Sequence, residues 1–173
     1  NDKFASFNWL GGDGASDNDD GNRTSSVSAN PTAGFSVLTF TGTGSALTVG
    51  HGLSQAPEFI IAKSGASNTN WPMYTPASTG PSNIMYFNLS NTLGTDSNSF
   101  TAIGASTISI GTSTDLNQNN EKTTLYCFHG VSGYSKFGNA KLIGSSPTGN
   151  EGTYIHLGFK PAFFYWKMST TGH

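Results

Sequence analysis

Charge is what this sequence has least of: only 10% of its 173 residues are Asp, Glu, Lys or Arg, where about 25% is usual. With 8 Lys and Arg against 10 Asp and Glu, there is no basic field to neutralise phosphates or to hold the chain on an anionic membrane. Nucleic-acid binding by bulk charge is excluded. Cysteine is almost absent too. Cys127 stands alone, which rules out an internal disulfide and a Cys-rich metal knot and leaves the core to hold the fold. Lying between Tyr126 and Phe128, it is expected to be a small buried hydrophobe rather than a nucleophile. Long apolar runs are missing as well. The longest, Ala162 to Trp166, falls far below the roughly 20 residues of a membrane-spanning helix, so membrane insertion is not expected. Good helix formers are thinly spread and 22 glycines interrupt them, so no apolar stripe of helical period survives and helices should be nearly absent.

What remains is a polar Gly/Ser/Thr/Asn background carrying 12% aromatics, with 12 Phe, 6 Tyr and 3 Trp, more than a disordered chain holds. Phe35 to Thr41, Phe59 to Lys63, Ile84 to Leu89 and Thr123 to Phe128 are short, β-branched or aromatic runs bounded by Gly, Pro, Ser and Asn. Such runs read as strands. Their spacing predicts an all-β chain of antiparallel β-sandwich or jelly-roll-like units with almost no helix.

Three blocks recur in the same order. Asn1 to Leu10 is matched by Asn120 to His129, each reading Asn, acid, Lys and then an aromatic pair two apart; Gly34-Phe35-Ser36 returns as Gly133-Tyr134-Ser135; and Pro57 to Lys63 returns as Pro161 to Lys167. The offsets are 119, 99 and 104 residues, as expected if strands persist while loops vary in length. Residues 1–119 are therefore expected to form one β-sandwich unit and 120–173 the first half of a second. The chain reads as a segment of a longer, multi-repeat polypeptide.

Several runs carry a resemblance. Thr24 to Ser36 (T-S-S-V-S-A-N-P-T-A-G-F-S), Thr41-Gly42-Thr43-Gly44-Ser45, Val49-Gly50-His51-Gly52-Leu53, Pro57 to Lys63, Gly133 to Gly138 and Gly158 to Phe163, with Phe7-Asn8-Trp9, resemble a repeated β-rich family of large virion proteins in marine tailed phages. The resemblance spans nearly the whole chain. It implies a virion location and a structural, fibre- or appendage-like or capsid-decoration role, with self-association or other virion proteins as partners and host attachment as a further possibility. It brings no catalytic residue.

Four of the seven Asp fall between Gly11 and Asn22. Asp13, Asp17, Asp19 and Asp20 are the residues to test as Ca²⁺ ligands, since alternate oxygen ligands are what that ion needs. Ser28, however, stands where a bidentate acid would close the loop, so a solvated loop with no cofactor is expected and chelation should leave the fold unchanged. His51, between Gly50 and Gly52, is expected to hydrogen-bond turn backbone. No zinc spacing or nucleophile motif occurs. Glu58, Glu121 and Glu151 are the only glutamates, and an enzyme is not expected. Trp71 with Tyr74 and Tyr86 is the candidate glycan or receptor site, because flat aromatic faces beside Asn, Ser and Thr suit a sugar. Trp9 and Trp166 are assigned to the core. Finally, a half sandwich leaves an apolar face and an edge to be covered. Phe163, Phe164, Tyr165 and Trp166 are therefore expected to be buried, at least partly from outside residues 120–173, by the preceding unit, by symmetry-related chains or by another copy completing the sandwich; Trp166→Asp is expected to cost several kcal/mol or abolish assembly, and truncation after about residue 119 to give a more soluble, less associated product.

Overall fold

A computed structural model describes residues 6, 8–76, 78, 80–140 and 153–169. Among them no helix forms. Eleven strands run in chain order: β1 (Ser16–Asn18), β2 (Ser25–Asn30), β3 (Phe35–Thr41), β4 (Leu47–Gly50), β5 (Phe59–Ser64), β6 (Pro72–Tyr74), β7 (Asn83–Tyr86), β8 (Gly94–Thr95), β9 (Phe100–Ile103), β10 (Thr107–Ile110) and β11 (Lys122–Phe128). They make a large sheet of order β1-β2-β3-β11-β5-β6-β7-β8 and a small one of order β4-β10-β9. All pairings are antiparallel. The all-β, antiparallel, sandwich-like arrangement expected from the sequence is what forms.

Alternation builds the core between the sheets. Leu38 and Phe40 of β3, Leu125 and Cys127 of β11, and Ile60 and Ala62 of β5 meet Leu47, Val49, Phe100, Ile108 and Ile110 of the small sheet. Each fully buried Leu or Phe contributes about 1.5–3 kcal/mol relative to exposure. Cys127 is buried here and burial raises the pKa of its thiol, which fits the hydrophobe expected. Two buried polar side chains fasten the loops over this core. Asn117 Nδ2 donates to Ser45 O and Gly111 O, both at 2.7 Å, while its Oδ1 accepts from Thr43 N at 2.8 Å.

His51 is the second. Its Nδ1 accepts from Leu53 N at 3.1 Å, so Nε2 carries the proton and faces Gly104 O at 3.3 Å. This is the turn-backbone role expected of it. Burial lowers its pKa from 6.5, opposed by the Gly104 carbonyl and by Asp20, with His129 adding to the lowering. The unfolded chain therefore binds this proton more readily than the folded one, and stability rises with pH across the window between the two values. Denaturation midpoints should accordingly fall as pH drops below the ordinary histidine value near 6.5, and His51→Gln should flatten that part of the profile.

The expected unit boundary does not survive. β11, placed by the repeats at the start of a second unit, lies between β3 and β5 in the middle of the large sheet, because its Thr123, Leu125 and Cys127 belong to this core. Pro57 to Lys63 contributes β5, whereas residues 161–167 carry no strand. After β11 the described residues add only an isolated Val131↔Ser135 bridge, so they contain one two-sheet body and no second sandwich. Ile84 to Leu89 also ends early: β7 stops at Tyr86, where Leu89 N turns back to Tyr86 O.

Candidate functional site: the outer face of the large sheet

An antiparallel sheet usually packs on one face and meets water on the other. Here both faces are apolar. Register aligns Val37, Tyr126, Ile61, Met73 and Met85 as one row across β3, β11, β5, β6 and β7, on the face opposite Leu38, Leu125 and Ile60. A second row pairs Phe35, Phe128 and Phe59, with ring centroids 4.9 and 5.8 Å apart. Three rings from outside the strands close over this second row. Trp9 lies 5.7 Å from Phe128, Phe137 stacks 5.7 Å from Phe59, and Phe163 sits edge-on 5.7 Å from Trp9.

The first row is covered unevenly. Met73 and Met85 are buried, while Tyr126 is 38% exposed. At the β6–β7 end Trp71 stacks on Phe87 at 6.1 Å and Phe87 on Tyr165 at 5.2 Å, with Lys63 Nζ 5.9 Å from the Trp71 ring. Lys167 Nζ donates to Tyr86 O at 2.9 Å and to Leu89 O. Residues 163–169 thus strap the face from Trp9 to β7, and Leu93 N donates to Ser169 O at 3.1 Å. The strap's own Phe164 and Trp166 stay 61% and 62% exposed.

The whole chain, residues 1–173, matches the sequence profile of a family described as a domain of unknown function, DUF7483. The chain belongs to this family. No curated protein and no solved structure matches it.

In this DUF7483 chain the three aromatics expected to form a glycan site are not brought together. Trp71 faces outward, whereas Tyr74 and Tyr86 pack against the core between the sheets, since β6 and β7 alternate. What Trp71 does have nearby is a polar network in which Asn70 N and Nδ2 donate to the Asp115 carboxylate and Asn88 Oδ1 accepts from Trp71 N. The acidic loop is broken up as well. Asp17 lies in β1, Asp13 precedes it, and Asp19 and Asp20 sit in the β1–β2 turn, accepting from Thr24 Oγ1 and Asn18 Nδ2. Among the described residues no group of three or more His, Cys, Asp or Glu is placed to hold a metal. Glu58 accepts from Gly130 N beside the end of β11, while Glu121 precedes its start. A seven-residue strand separates them by roughly 20 Å, beyond the roughly 5–10 Å of a glycosidase pair. Glu151 lies outside the described residues.

Phe163, Phe164, Tyr165 and Trp166 are 39–62% exposed within the single chain, and neither Trp166 nor Trp9, 43% exposed, is core. Within the single chain this burial is incomplete, because the segment lies as a strap on the outer face rather than inside a sheet. Sequence reasoning missed the outer face itself. Its signal was the unbroken apolar runs Phe59 to Ala62 and Leu125 to Phe128, which mark strands covered on both faces.

Proposed function

We propose that this chain is a non-enzymatic structural module that associates through the outer face of its large sheet. We place it in a virion, as a tail-fibre or other appendage module or a capsid decoration, because its sequence resembles the repeated virion proteins of marine tailed phages. The observation that carries the association is the exposed aromatic strap, Phe164 and Trp166, lying beside a half-open apolar row. Contiguous apolar surface of this kind on a folded chain marks an interaction site. A surface of Ser, Thr and Asn with little charge supports the role, since it limits indiscriminate attraction to charged material.

Sedimentation tests the association. The chain is expected to form defined oligomers, and Phe164→Ser/Trp166→Ser to dissociate them while leaving the denaturation midpoint unchanged. Because Trp166 is exposed, Trp166→Asp should cost the fold no more than about 0.5 kcal/mol, replacing the several kcal/mol expected of a buried position. A monodisperse monomer at high concentration would refute the proposal. Mass spectrometry of purified particles tests the virion location. A second reading, recognition of a host-surface glycan, is favoured by Trp71 lying beside Asn70, Asn88 and Asp115; a glycan array on which Trp71→Ala loses binding would support it over assembly.

A further inference from the structure

The side chains of the strap point two ways. Phe163, Tyr165 and Lys167 meet the body, at Trp9, at Phe87 and at the carbonyls of Tyr86 and Leu89. Phe164, Trp166 and Met168 alternate with them and stay exposed. Among the described residues the backbone of 164–168 makes no backbone hydrogen bond, so side chains hold this stretch in place. No described residue after His129 is buried. The core is therefore complete without the strap, which relates to the body as a ligand does to its receptor.

The receptor half is fixed before anything docks. β7 ends in a turn in which Leu89 N donates to Tyr86 O, and Trp71 fastens that turn from the neighbouring segment, accepting from Phe87 N at 2.8 Å and donating from its own N to Asn88 Oδ1 at 2.9 Å. Two carbonyl oxygens and the Phe87 ring are thus held in one arrangement, which spares the cost of ordering them on binding. Carbonyl oxygens directed at one point suit an ammonium, which can donate to both. The flat face of Phe87 suits a second aromatic ring, and Tyr165 stacks on it at 5.2 Å,. Tyr165 and Lys167, two residues apart, bring both groups to the same side.

We propose that the turn after β7 is a receptor site for an aromatic-x-lysine segment, and that in the assembled protein its occupant is the strap of a second copy, exchanged reciprocally. The exchange rests on the association through the outer face proposed above; the site does not. Three observations name a second copy. Tyr165-Trp166-Lys167 is the segment seated in the site, so every copy carries both halves, and copies with a net charge of only −2 repel one another little,. The strap contributes nothing to the core, so leaving its own body breaks no core contact, and the contacts it makes within one chain form equally between two. Finally, its own body covers only one face of the strap, leaving Phe164 and Trp166 in water. A strap that passes from one body to the other lies between the two and is covered on both faces.

Complementation between two full-length variants tests the exchange. Phe87→Ala removes the ring from the site, and Tyr165→Ala/Lys167→Gln removes what the site grips. Each variant alone is expected to associate about tenfold more weakly than the unsubstituted chain. An equimolar mixture is expected to recover a 1:1 heterodimer in sedimentation, because the strap of the first fits the site of the second. Weakened association in both variants with no recovery in the mixture would overturn the exchange in favour of a strap seated only within its own chain. Association unchanged in both would overturn it while leaving the outer-face reading in place. A synthetic peptide of residues 161–169 tests the site apart from assembly. It is expected to bind the Tyr165→Ala/Lys167→Gln chain, and its Lys167→Gln form to bind about tenfold more weakly. Failure of the peptide to bind would overturn the site even where the unsubstituted chain associates, whereas peptide binding with an unsubstituted chain that stays monomeric would overturn the second copy as occupant and the outer-face reading with it.

Discussion

Ending the chain after residue 119 is expected to leave no folded protein, whereas ending it after residue 130 should leave the two-sheet body intact. The first cut removes β11, which holds seven register pairs with β3 and six with β5. It also strips Leu125 and Cys127 from the core and leaves Leu116 O without the Thr123 hydroxyl that donates to it at 2.7 Å. At about 0.5–1.5 kcal/mol net per hydrogen bond and about 1.5–3 kcal/mol for the buried Leu, the loss matches or exceeds the roughly 5–15 kcal/mol that stabilises a typical domain. The large sheet would be split, with β3 and β5 becoming raw edges that invite aggregation. The longer truncation keeps His129 N on Gly34 O and Gly130 N on the Glu58 carboxylate, and so retains the clamps at the end of β11. Urea unfolding followed by circular dichroism decides the matter. A cooperative transition for residues 1–119 would mean that β11 is dispensable; the cut at 130 keeps the sheet but uncovers the Phe35–Phe128–Phe59 row that Phe137 and the strap cover, so no more soluble product is expected from either cut.

That reversal shows where the sequence was legible and where it was not. Strand identity could be read: Phe35 to Thr41 is β3 residue for residue, and Thr123 to Phe128 is β11 less its first lysine. Composition and bounding turns suffice for that, because a strand's propensity is local. Strand partnership could not be read. The echo of residues 1–10 in 120–129 is real in sequence, but which sheet β11 joins is fixed by a burial pattern shared with β3 and β5. Local composition also overreached at Pro161 to Lys167, as β-forming as any segment of the chain, because a strand needs a neighbour and the sequence of one strand does not name it. The outer face was hidden for the same reason. Val37, Tyr126, Ile61, Met73 and Met85 come from five strands and become one row only through register, as Trp71 separates from Tyr74 only through the parity of β6.

Asn117 was the least legible residue of all, one amide in the polar run Thr114 to Asn120, and its removal should be among the costliest single changes in the chain. It is fully buried, and its side chain ties the distant loop at Thr43 and Ser45 to the nearby Gly111 through Thr43 N, Ser45 O and Gly111 O. Its backbone is engaged too, Asn117 N donating to Ser113 O and Gly44 N to Asn117 O, so the side chain has little freedom to adapt. Asn117→Ala leaves one donor and two acceptors without this partner, each costing about 1–3 kcal/mol where water cannot reach it. A total loss of about 3–5 kcal/mol is expected, read as a lower urea midpoint at unchanged slope. Asn117→Asp separates hydrogen bonding from volume. The carboxylate still accepts from Thr43 N but sets a charge against two carbonyl oxygens in a buried site, so it should destabilise at least as much as alanine at neutral pH and recover part of the loss as acid protonates it. A loss below about 1 kcal/mol for Asn117→Ala would show that water replaces the amide and that the loops over the core are held by their backbone alone.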